Sequence, residues 1–247
     1  MPKHRAEQRT SVPPRVFLLA TATVSLVLIG AFLTLWLTGP APSAASEAIQ
    51  GSGKPAAVDP VPGLKRIIFY GHSMPAGGGA SSVSLGYATL AAQETGLRLA
   101  NRSEGGTSAM AAAHAMESYP PARPRDAVVI HTGMNDIFRR GDDAVVEGRV
   151  GIERLLSGTA NAGRRILVLE CQPASWFDTP PHKDLQSAYD AWNAMLRDEA
   201  SVWPNVDLLD TCEQWDPLKY TDPPKYHPND DGHALIAGQI NALLRQP

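Results

Sequence analysis

Beyond residue 64 the apolar positions fall into two alternating patterns. Five short runs are almost continuously apolar: Lys65–Tyr70 (KRIIFY), Leu97–Asn101, Ala127–Thr132 (AVVIHT), Arg165–Glu170 (RILVLE) and Val206–Asp210 (VDLLD). Between and after them, apolar residues recur at helical spacing over Ser82–Glu94, Thr107–Glu117, Asp143–Ser157, Asp184–Ser201 and Asp231–Arg245. Gly96, Tyr119-Pro120-Pro121 and Trp203-Pro204 supply the stops. Strands that are apolar on both faces and alternate with helices predict a parallel sheet with helices on both sides. Right-handed crossovers then give a three-layer α/β/α doubly wound domain with a five-stranded parallel sheet. In such a sheet ligands bind beyond the carboxyl ends of the strands.

The chain ahead of that domain is different. Val16 to Leu37 is 22 residues without a charge. As a helix it would be roughly 33 Å long, enough to cross a hydrocarbon core. Lys3, Arg5, Arg9 and Arg15 precede it against the single acid Glu7. The positive-inside rule predicts a cytoplasmic N-terminus at 1–15, a transmembrane signal anchor at 16–37, and an extracytoplasmic remainder. A cleaved signal peptide is the alternative, with small residues offered at 42–46, although its apolar region normally spans only about 7–15 residues. Residues 38–63 follow as a linker in which Ala, Gly, Pro and Ser fill 18 of 26 positions. Such a stretch buries too little to offset its ordering entropy. The soluble domain is expected over 64–247.

Charge sharpens this division. The formal net charge is 22 − 25 = −3. Removing residues 1–38 takes away four cations and one acid, leaving 18 − 24 = −6. No basic excess supports nucleic acid as a partner. Cys171 and Cys212 are the only cysteines, too few for a disulfide scaffold or a four-cysteine zinc site. They follow strands four and five, so export leaves two states open: a disulfide, if their Cα atoms lie within about 7 Å, or two free thiols.

The strand ends carry the candidate chemistry. Gly71-His72-Ser73 follows strand one, and a serine on such a turn presents its hydroxyl beside backbone N–H groups. It is neither a Gly-x-Ser-x-Gly elbow nor a phosphate-binding loop. Gly105-Gly106 follows strand two, where the Gly106 N–H can act as a donor. Gly133-Met134-Asn135-Asp136 follows strand three: Asn135 offers an amide, and Asp136 can brace the loop. His227-Pro228-Asn229-Asp230-Asp231-Gly232-His233 leads into the closing helix and can return a histidine to the sheet edge. The six-residue spacing of His227 and His233 on an irregular loop is not a metal-ligand pattern, so no metal is expected.

In this order the four features resemble the blocks of the SGNH hydrolase (GDSL esterase/lipase) superfamily. The resemblance spans Lys65 to Leu244 and includes Tyr189–Arg197 and Val206–Asp210. It implies a serine esterase. Ser73 would be the nucleophile, His227 the base, and Ser73, Gly106 and Asn135 the oxyanion hole. Two departures stand out. His72 replaces the usual Asp before the serine, and Pro224 occupies the usual position of the acid. Asp222 is then the nearest acid to orient His227, with Asp230 and His233 as an alternative pair. Trp176 and Phe177, near the end of strand four, are candidates for substrate binding. The family implies no cofactor. Its exported members suggest a small acyl ester on a cell-envelope or extracellular glycan as substrate. A lipid ester, acyl transfer at the same site, or a catalytically silent binding protein are the alternatives.

Overall fold

The computed structural model describes residues 61–160, 165–173, 185–221 and 226–246. The chain divides into units at 1–54 and 55–247, and every described residue belongs to the second. The span expected to cross a membrane therefore lies outside the described residues. Among the described residues no helix is long and apolar enough to do so.

The elements alternate as the apolar pattern requires. Strand β1 (Arg66–Gly71) leads through a 3-10 turn at Val83–Leu85 to helix α1 (Tyr87–Thr95). Then come β2 (Arg98–Asn101), α2 (Ala109–Glu117), β3 (Asp126–His131) and α3 (Met134–Arg140). A second 3-10 turn at Gly141–Asp143 joins α4 (Ala144–Ala160), followed by β4 (Ile166–Leu169), α5 (Leu185–Ser201) and β5 (Val206–Leu209). The chain ends with α6 (Pro217–Tyr220) and α7 (Asp230–Leu244).

The sheet order is β2-β1-β3-β4-β5, with every pair parallel. Helices α1 and α7 pack together, as do α2 with α4 and α4 with α5. Right-handed crossovers place these two sets on opposite faces of the sheet. Ile67–Tyr70, Ala127–Ile130 and Ile166–Leu169 are buried throughout, as central strands covered on both faces must be. The edge strands β2 and β5 are partly exposed. Val61 already packs into the core and donates its N–H to Thr95 O, three residues ahead of the expected domain start at Leu64.

Two helices were not expected from the sequence. Helix α3 has only seven residues and α6 four, too short to display a helical repeat. The first matters to the site. Asn135 and Asp136, read as a loop, lie in the opening turn of α3 after Gly133, whose φ is 121°.

Candidate active site

Strand β1 ends at Gly71 and the chain turns sharply. Ala76 N–H donates to His72 O at 3.3 Å, Gly77 N–H to Met74 O at 3.0 Å, and Gly78 N–H to Ser73 O at 2.7 Å. These bonds fix Ser73 on the turn. His72 is buried, and its Nδ1 accepts the Met74 N–H at 3.2 Å. Burial pushes its pKa well below the usual histidine value, and the nearby His131 and His227 push the same way. A neutral imidazole thus supplies the acceptor for the Met74 N–H on this turn, with no charge beside Ser73.

His227 reaches the turn from the other end of the chain. Thr221 and Pro228 form an isolated antiparallel bridge. Asn229 then caps α7, its Oδ1 accepting the Gly232 N–H at 2.9 Å, and its Nδ2 donates to Lys219 O at 2.9 Å. Between these anchors His227 projects toward β1, and its Nε2 lies 2.7 Å from Ser73 Oγ. Nucleophile and base geometry requires a contact of about 2.6–3.2 Å.

The alternative pair is turned elsewhere. Asp230 accepts from Ser81 N–H at 2.8 Å and Ser81 Oγ at 2.6 Å, contacts that lower its pKa. His233 is buried, its Nδ1 accepting the Tyr87 N–H at 3.1 Å and its Nε2 donating to Gly78 O at 3.1 Å. It caps the start of α1 and braces the Gly77–Gly79 loop from behind, so this frame is not the one that meets Ser73. Asp222 lies outside the described residues, as do Trp176 and Phe177.

The opposite wall comes from β2 and α3. Gly106 holds a φ of 79°, in the region that favours glycine. Among the described residues neither the Ser73 N–H nor the Gly106 N–H has a protein acceptor. Asn135 Nδ2 donates one hydrogen to Thr107 O at 3.1 Å, which ties the loop after β2 to α3 and leaves the second hydrogen. Asp136 accepts the Ala109 N–H at 3.0 Å and so caps the start of α2. It braces the loop as the sequence suggested.

Burial raises the Asp136 pKa to about 6. A carboxyl raised above its unfolded value of about 3.9 contributes stability below that value and loses it as pH rises through the folded one. The wild-type melting temperature should therefore gain on acidification between pH 6.5 and 4 relative to Asp136→Asn. Parallel melting curves across that range would show that Asp136 does not titrate there.

The GDSL-like lipase/acylhydrolase family profile matches residues 69–235, about two thirds of the chain. This chain belongs to that family. As a GDSL-type acylhydrolase it is a carboxylic ester hydrolase. No curated protein matches it by sequence. Its fold is shared with a GDSL-family lipolytic protein from Veillonella parvula, at 16% identity and TM-score 0.62, covering 74% of this chain and 100% of that one. It is shared also with an acetylxylan esterase from Geobacillus stearothermophilus, at 18% identity and TM-score 0.59, covering 74% and 95%. A third likeness is an enzyme from the Lake Arreo metagenome, at 18% identity and TM-score 0.59, covering 74% and 97%.

The GDSL framework here also contains residues that sequence reasoning missed. Gly78 and Gly79 lie directly against His227, whose Cδ2 and Cβ would meet a Cβ placed on them at 3.0 and 2.6 Å. A run of glycines after the nucleophile is the signal that could have found them. Tyr226 lies 4.5 Å from the His227 ring, and Phe138 meets Tyr226 edge-on at 5.2 Å. Arg139 donates to Gly106 O at 2.7 Å. Below Ser73 the His131 ring lies 4.9 Å from His72, and its Nδ1 is 2.7 Å from Tyr87 Oη. Burial drives the His131 pKa down to about 3, so this layer is uncharged.

Both cysteines are free thiols, one of the two states the sequence left open. Their sulfurs are held by different carbonyls: Cys171 Sγ faces Thr132 O at 3.2 Å, and Cys212 Sγ faces Cys171 O at 3.1 Å and Tyr189 Oη at 3.0 Å. The neighbouring strands β4 and β5 bring the two backbones together, and each sulfur faces its own carbonyl.

Proposed function

We propose that this esterase removes short acyl groups, such as acetyl, from glycans outside the cytoplasm through a Ser73 acyl-enzyme. The 2.7 Å contact between Ser73 Oγ and His227 Nε2 carries the reading. His227 takes the hydroxyl proton as Ser73 Oγ bonds to the acyl carbon. The tetrahedral oxyanion is met by the Ser73 and Gly106 N–H groups and the Asn135 amide. His227 then returns the proton to the departing alcohol. Water, deprotonated by the same imidazole, then attacks the acyl carbon, and His227 returns that proton to Ser73 Oγ as the carboxylic acid leaves. Asp222 orients the histidine. No step requires a metal or cofactor. Residues 16–37, with the cations before them, support anchoring in the cell membrane with the catalytic domain outside.

The full-length protein should be labelled covalently by a fluorophosphonate, and Ser73→Ala should not. Equal labelling of both would sink the mechanism. A panel of chromogenic acyl esters and acetylated glycans checks the substrate class, and a preference for long acyl chains would replace the glycan reading with a lipid one.

A further inference from the structure

The site occupies the carboxyl edge of the sheet, and the opposite, amino edge has a chemistry of its own. Lys65 precedes β1, which opens on Arg66, β2 opens on Arg98, and Arg123-Pro124-Arg125 leads into β3. Parallel register sets Arg66 between Arg98 on one neighbouring strand and Asp126 on the other. Backbone bonds draw in the rest: the Lys65 N–H donates to Arg125 O at 2.9 Å, and the Arg98 N–H donates to Lys65 O at 3.1 Å. Strand pairing thus brings five cations from three separate segments around one groove of about 470 Å³.

Among the described residues lining the groove, Asp126 is the one acid. It is buried and already committed, accepting from Arg66 Nε at 3.1 Å and from the Arg123 N–H at 2.6 Å. Lys65, Arg98, Arg123 and Arg125 are exposed. The acids at the nearby helix ends do not line the groove: Glu94, on α1, accepts from Asn241 Nδ2 at 2.6 Å, and Glu117, on α2, lies 3.6 Å from His114. A lone surface arginine needs no explanation. Five cations around one groove do, in a chain whose net charge beyond residue 38 is −6.

We propose that this groove docks the domain on an anionic phospholipid surface. The proposal rests on the membrane anchoring argued above. A cleft lined by one sign of charge concentrates ions of the other sign, and clusters of Lys and Arg close to a membrane segment are drawn to anionic headgroups. Such a surface repels the remainder of an acidic domain, so the groove decides which edge faces it. Position agrees with charge. The chain enters the domain at Val61–Leu64, where Gly63 O accepts from the Nε of Arg125, a member of the groove, at 2.9 Å. Ahead of that point the linker from Thr38 to Pro60 is 23 residues, for which a flexible chain has a reach of roughly 26 Å. That length keeps the groove close to the surface that holds residues 16–37. Ser73 and His227 lie beyond the other edge of the sheet, so docking leaves them open to a polymeric substrate.

The test is arginine footprinting of the full-length protein in lipid nanodiscs, with phenylglyoxal as the reagent and peptide mass spectrometry as the readout. Discs of phosphatidylcholine are compared at low salt with discs in which one lipid in four is phosphatidylglycerol. The anionic lipid should slow modification of Arg98, Arg123 and Arg125 by about threefold or more, high salt should restore it, and Arg139 at the opposite edge should keep its rate. Equal rates in the two lipids overturn the proposal, and so does protection that extends equally to Arg139. Inorganic phosphate that protects as well in phosphatidylcholine discs would make the groove a site for soluble anions and overturn it too. Arg98→Gln combined with Arg123→Gln should abolish the lipid-dependent protection of Arg125 and leave hydrolysis of a soluble chromogenic ester unchanged. Full protection of Arg125 in that variant places the contact elsewhere and overturns the proposal. A protein that does not enter phosphatidylcholine discs defeats the anchoring reading, and the same footprint against phosphatidylglycerol vesicles then decides the groove.

Discussion

Ser73→Ala is expected to lower kcat/KM for a short acyl ester by about 10^5–10^6-fold, His227→Ala by a similar factor, and the double variant by little more. The two side chains act as one unit, because the hydroxyl is a poor nucleophile unless the imidazole accepts its proton as the new bond forms. The contact at 2.7 Å is the Ser73 side-chain bond that matters here. Removing either partner removes the whole proton path. A residual rate above water should survive from the oxyanion donors and binding alone. Steady-state kinetics on the three variants decide this. Losses that multiply in the double variant would mean that Ser73 and His227 act independently. Melting temperatures close to wild type would show that the loss is chemical, since the turn bonds at Ser73 are made by backbone atoms.

The fold was legible because buried parallel strands leave a plain record. Ile67–Tyr70, Ala127–Ile130 and Ile166–Leu169 are apolar without alternation, and they occupy the three central positions of the sheet. The order of polar residues at strand ends then located Ser73, Gly106, Asn135 and His227. What the sequence did not reveal depends on contacts between distant segments. Nothing local marks His233 as the residue that caps α1 and holds the Gly78 carbonyl, because its partners are 146 and 155 positions away. By spacing alone Asp230 and His233 were an alternative to the pair of Asp222 and His227. Nothing local ties Arg139 to the carbonyl of Gly106, 33 positions earlier, to which it donates.

His72 shows the same limit from the opposite direction. It departs from the family pattern, and its neutral ring still accepts the Met74 N–H on the turn. The His131 ring lies against it, and Tyr87 and His233 extend the layer to the back of the Gly77–Gly79 loop. The nucleophile turn and the loop that touches His227 therefore share one neutral, buried support. Placing an anion at position 72 would put charge against that layer and against His227.

Gly79→Ala is expected to reduce kcat/KM by about 100-fold or more while the domain stays folded. At a φ of 94° an alanine is strained by about 1–2 kcal/mol. Its Cβ would also lie 2.1 Å from Pro228 O and 2.6 Å from His227 Cβ. Neither atom is the free end of a flexible side chain, so the segment carrying His227 must shift to accommodate the methyl group. A displacement of about 1 Å at a reacting pair costs on the order of 100-fold. Gly77→Ala separates the two effects, because Gly77 has an almost identical φ of 95° and open space where a Cβ would stand. Both variants should lose melting temperature from the backbone strain, Gly79→Ala more because of its clash, and only Gly79→Ala should lose most of its activity and its rate of fluorophosphonate labelling. Equal activity losses would place the cause in loop strain, and the close approach of Gly79 to His227 would then have no part in catalysis.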